Sequence, residues 1–145
     1  MDGQRLGKSR LLKIALGVVV AHVAVNVVHG LAHGALEVLL PAWKNGVVLF
    51  MILIGPPAGL TLAWRGRPAA GYGLLTVTMA GSLTFGIWHH FIAMSLYHVS
   101  QIPEGAWGTA FIASSWALAI SEFAGAVVGV IGWRRMRAAG ETAAS

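Results

Sequence analysis

The sequence contains no cysteine. That removes disulfides, thiolate metal sites, iron–sulfur clusters, thiol nucleophiles and c-type haem attachment together. Carboxylates are nearly as scarce: there are five in 145 residues, and two of them, Asp2 and Glu141, sit in the tails. Charged residues make up 10% of the chain, against about 25% in a soluble domain. A chain so poor in charge cannot coat a globule that faces water. No phosphate loop, nucleotide fingerprint or nucleophile elbow is present. There is no internal repeat or low-complexity tract. The 19 glycines are isolated, which in an apolar chain signals close helix packing.

Hydrophobic residues dominate, at 57%. Apolar runs cover residues 14–40, 47–64, 69–94 and 107–133. Each is close to or above the ~20 residues that carry a helix across a bilayer. The expected fold is all-α: a single-domain polytopic membrane protein, a bundle of four transmembrane helices with lipid as its solvent. Pro41 and Trp43 stop the first run, and Pro68 suits the first turn of the third. The second run contains Gly55, Pro56, Pro57 and Gly59. Adjacent prolines remove backbone donors, so a kink or break is expected there. The basic start followed by apolar residues 14–20 has the outline of a signal peptide, with small residues at Ala21–Ala24. The apolar stretch continues well past a signal core, so an uncleaved first span is the expectation.

The net charge of +5 is distributed by topology. Placing the N-terminus in the cytoplasm puts nine of the ten basic residues there: Arg5, Lys8, Arg10, Lys13, Arg65, Arg67, Arg134, Arg135 and Arg137. Lys44 alone is outside. This positive-inside pattern predicts both termini cytoplasmic. Trp64, Tyr72 and Trp133 then fall near the inner boundary, and Trp43, Trp88, Tyr97 and Trp107 near the outer one. The basic residues flank apolar runs and form no stripe interleaved with aromatics, which argues against nucleic acid as a partner.

Polar residues inside the apolar runs carry the functional signal. His22, Asn26, His29, His33 and Glu37 are spaced by four, three, four and four. At ~100° per residue they occupy an arc of about 80°, one face of the first helix. Such a face belongs in the bundle interior. The fourth run carries Glu122, with Ser115 seven residues earlier and Gly125 and Gly129 in small-xxx-small spacing. A carboxylate at that depth is costly unless paired or protonated. Depth counting sets Glu122 within about a turn of His22 and Asn26, so a contact with either is expected. The third run ends in Trp88-His89-His90-Phe91, followed by His98. His90 is favoured over His89 to face the first helix, because its face also turns toward His98.

Two imidazoles at i and i+4 present two ring nitrogens on one side of a helix, as in helical zinc sites. The leading expectation is a transition-metal site (Cu, Zn or Fe) in the outer half of the bundle, held by His29, His33, His90 and His98 and open to catalysis. Nitrogen-rich donors suit those ions better than Mg or Ca. Glu122 and His22 would form a proton relay, and Asn26, His89 and Glu37 would support the ligands. Haem b is the second reading, with His29 or His33 opposite His90 as axial ligands. Small membrane b-type cytochromes have this general architecture. A third reading is free of metal: His/Glu acid–base chemistry on a lipophilic substrate, a small transporter, or a structural subunit. The glycine-rich faces would also permit a homo-oligomer.

Overall fold

The computed structural model describes residues 2–144, with side chains described over residues 10–140. The side chains of Asp2, Arg5, Lys8 and Glu141 lie outside that range. Four helices follow one another, and no strand occurs among the described residues. The first is Asp2–Ala35. The second, Ala42–Trp64, is α-helical over Ala42–Val47, π-helical over Val48–Ile54 and α-helical again over Gly55–Trp64. The third, Pro68–Ile92, ends in a π-helical stretch, Trp88–Ile92. The fourth is Ala106–Ala144. Each is long and apolar enough to cross a membrane.

The helix ends differ from the apolar runs for local reasons. The first helix stops at Ala35, short of residue 40. Glu37 takes a left-handed φ of 56°. Its N–H bonds the Gly34 carbonyl at 3.2 Å, and the Val38 N–H reaches back to His33 at 3.1 Å. This is the Schellman arrangement that ends helices. Pro41 caps the second helix in extended geometry, so that helix begins at Ala42, earlier than residue 47. The fourth helix runs past its apolar segment because Arg134, Arg135 and Arg137 are good helix formers exposed beyond it.

The tandem prolines do not break the second helix; they redirect one carbonyl. Pro56 would supply the α-helical donor to Ile52 O, and Pro57 the π-helical one; neither has an N–H. His22 Nε2 donates to that carbonyl instead, at 3.1 Å. The polar face of the first helix is thereby turned inward, while Val20, Val27 and Leu31 are exposed. Polar inside and apolar outside is the pattern of a protein solvated by lipid.

Neighbouring helices run antiparallel. His22 and His29 on the first meet Ser121 and Ser114 on the fourth. At the end that bears the termini, Leu11, Ala15 and Val19 pack on Tyr72, Leu75 and Met79. Tyr72 is therefore core, not a boundary aromatic. Helix backbones approach closely at glycine contacts. A Cβ on Gly59 would lie 2.8 Å from Gly71 O, and one on Gly129 would lie 2.8 Å from Thr76 N.

Candidate metal centre

The end of the bundle away from the termini is polar inside. His29 and His33 project from the first helix and His90 from the π-helical end of the third. Their ring centroids are 4.7 Å apart for His29–His33, 4.9 Å for His29–His90 and 6.2 Å for His33–His90. Phe111, fully buried, closes one side at 4.7–5.4 Å from all three rings.

Each ring is held by its Nδ1. His33 Nδ1 lies 2.6 Å from Val38 O, and His90 Nδ1 lies 3.0 Å from Tyr97 O. A carbonyl only accepts, so both Nδ1 atoms carry hydrogen. His29 Nδ1 lies 2.8 Å from Ser114 Oγ, whose own hydrogen is directed to Phe111 O at 3.0 Å. Ser114 then accepts, and His29 Nδ1 also carries hydrogen. All three imidazoles are left with a lone pair on Nε2. His29 Nε2 is buried with no hydrogen-bond partner.

One ligand nitrogen from each residue lies within 4.8 Å of the others. A tetrahedral zinc ion with bonds of about 2.0–2.1 Å would hold them roughly 3.3 Å apart. The widest pair must close by roughly 1.5 Å, a matter of side-chain rotation. An outer partner on the second nitrogen, orienting the ring and fixing its tautomer, is what metal-binding histidines have. The trio could hold a metal ion.

A cavity of about 440 Å³ adjoins the trio and extends down the bundle to Asn26, Ser115 and Glu122. Glu122 is 2% exposed. The Ser82 hydroxyl lies beside it but outside hydrogen-bonding geometry, so Ser82 Oγ and Glu122 Oε2 are both buried without a partner. Glu122 makes no hydrogen bond to His22 or Asn26. Those two are engaged elsewhere: His22 with Ile52 O, and Asn26 Nδ2 with the His22 carbonyl at 3.0 Å. Glu122 is not among the clustered ligand atoms.

The remaining residues named from sequence lie outside the trio. His98 sits in the connection between the third and fourth helices, where its Nδ1 lies 2.7 Å from Ser100 Oγ. His89 lines the cavity and donates from Nδ1 to Phe85 O at 2.8 Å. Glu37 is exposed and ends the first helix. The residues that anchor the trio escaped sequence reasoning. Val38 and Tyr97 act through backbone carbonyls, which leave no signature. Ser114 is one of several hydroxyls able to bond between helices, and Phe111 is one more apolar residue.

Compared with protein-family models, curated proteins and solved structures, the chain matches none, so its function has to be read from the chemistry of this site.

Proposed function

We propose that this is a membrane protein that binds a transition-metal ion (Cu, Zn or Fe) through the Nε2 atoms of His29, His33 and His90, with a further coordination position facing the cavity. One observation carries the reading. Three neighbouring imidazoles each have Nδ1 held by an oxygen at 2.6–3.0 Å, and one ring nitrogen of each lies within 4.8 Å of the others. Converging acceptors do not satisfy one another, and a cation held between them would satisfy all three. Nine of the ten basic residues favour both termini in the cytoplasm, and in that orientation the ion would lie in the outer half of the bilayer. A bound ion would supply Lewis-acid chemistry there, and Glu122 further down the cavity would be the base available to a substrate.

The haem reading has less support. His29 and Phe111 occupy the space around and between His33 and His90, where a macrocycle would lie. Metal-free acid–base catalysis lacks a hydrogen-bonded His/Glu pair among the described residues.

Metal analysis of detergent-purified protein loaded separately with Zn, Cu and Fe tests the proposal. The expected result is about one ion per chain, lost on His29→Ala or His33→Ala while the protein stays folded. Folded protein that takes up none of the three ions stoichiometrically would overturn it.

A further inference from the structure

The cavity beside the trio is larger than an ion and a water require. At about 440 Å³ it falls among pockets of about 300–1,000 Å³ that bury small organic ligands. Its walls are mostly apolar, but two of its lining residues, His29 and Glu122, each hold a buried polar atom without a partner, Nε2 and Oε2. Helix direction tilts these side chains toward each other. Side chains lean toward the N-terminus of their own helix, and the first and fourth helices run antiparallel. On the third helix, Gly86 lies one turn before His90, and a Cβ there would come 3.6 Å from Glu122 Oε2. The carboxylate therefore lies about one turn, ~6 Å, below His90.

The cavity also opens sideways. Leu39 and Leu53 line it yet are 74% and 39% exposed, which sets a mouth between the end of the first helix and the π-helical part of the second. Gly30 and Gly34 widen that mouth: a Cβ on either would meet nothing within 4 Å. Leu53 lies within the second span, so that side of the mouth faces hydrocarbon in a membrane, and Leu39 forms its rim in the connection.

We propose that the cavity binds a lipid-soluble quinol or quinone, admitted from the bilayer past Leu39 and Leu53. A plain acyl chain would leave both polar ends unmatched in an apolar environment. A charged ligand would have to cross hydrocarbon to reach the mouth. A compact ring with oxygens on opposite edges matches the cavity. One oxygen faces His29 Nε2 or an ion held there, and a hydroxyl at the other edge donates to the Glu122 carboxylate. Phe85 and Tyr97 supply aromatic wall for the ring. The inference shares the trio with the metal reading, but its Glu122 end does not depend on an ion.

Equilibrium dialysis of nanodisc-embedded protein, zinc-loaded and zinc-free, against a short-chain ubiquinone analogue and its quinol tests this. Saturable binding is expected at about one site per chain. Glu122→Leu, which removes the polar partner, and Ala119→Phe, which fills the cavity, should each raise Kd at least about tenfold. Both variants should keep the zinc stoichiometry of the unaltered chain, which reports folding and separates this outcome from the metal reading. n-Dodecanol, an alkyl chain with a single oxygen, should not displace the ring compound at equal concentration. Absence of saturable binding by either form, displacement by dodecanol, or unchanged Kd in both variants would overturn the proposal whatever the zinc result.

Discussion

Val38 bonds His33 at two points: its N–H donates to the His33 carbonyl at 3.1 Å, and its own carbonyl accepts from His33 Nδ1 at 2.6 Å. The same turn that ends the first helix therefore orients a candidate ligand. Glu37, at φ 56°, is the pivot of that turn. Glu37→Gly should keep metal binding and raise stability by about 0.5–1 kcal/mol, since glycine adopts this φ without penalty. Glu37→Pro locks φ near −65° and removes the N–H to Gly34, so it should weaken metal binding and lower thermal stability. Thermal denaturation and competitive metal titration check both.

Ser114→Ala removes the acceptor that fixes the His29 tautomer and orientation. Metal affinity should fall by about 10–100-fold, the range seen when such outer partners are lost. The ring itself stays, so Ser114→Ala should still bind metal at high concentration, whereas His29→Ala should not. Titration against a chromophoric chelator separates the two. If Ser114→Ala binds as tightly as the unaltered chain, Nδ1 anchoring has no part in the affinity.

Glu122 Oε2 and Ser82 Oγ are buried without partners. Replacing the carboxylate by an apolar group of similar size removes an unsatisfied group, so Glu122→Met should raise stability by about 1–3 kcal/mol. A stability gain coupled with loss of ligand binding or activity would mark the carboxylate as retained for function. A marked loss of stability would mean that it has a structural partner.

Helix contact at Gly129 leaves no room for a side chain, since a Cβ would lie 2.8 Å from Thr76 N. Gly129→Val should destabilise by about 1–3 kcal/mol, because the close neighbour is backbone and cannot rotate away. Gly140→Ala, where nothing lies within 4 Å, is the control and should change little. Both are read by thermal unfolding in detergent.

Orientation can be tested without background because the chain has no native cysteine. In intact cells, Gln101→Cys should react with a membrane-impermeant maleimide and Gly140→Cys should be protected. The reverse pattern would place the trio in the cytoplasmic half and invalidate the positive-inside assignment.

The four spans were legible because nothing but a helix satisfies the backbone across an apolar run of that length. The i, i+4 spacing of His29 and His33 was legible for the same reason, since one helix fixes both. Depth counting also set the fourth helix against the first, but it did not resolve which polar groups touch. His22 illustrates why. Its partner is the Ile52 carbonyl, released because Pro56 and Pro57 are adjacent, and that release is absorbed by a π-helical stretch rather than the expected break. A 3.6-residue period carries no information about where a helix widens its turn. His98 is the other instance: it shares the His90 face only if the third helix continues, but that helix ends at Ile92 and His98 caps a short turn over Val99–Gln101 instead.

The anchors of the trio reach the surface. Val38 O and Tyr97 O belong to the two connections at this end of the bundle, and the Tyr97 hydroxyl donates to Leu39 O at 3.0 Å, tying one connection to the other. Whatever draws the three rings together also tightens both connections. Amide hydrogen exchange over residues 36–41 and 95–101 is thus a gauge of occupancy, readable from the water side, for a centre that water-soluble probes do not reach.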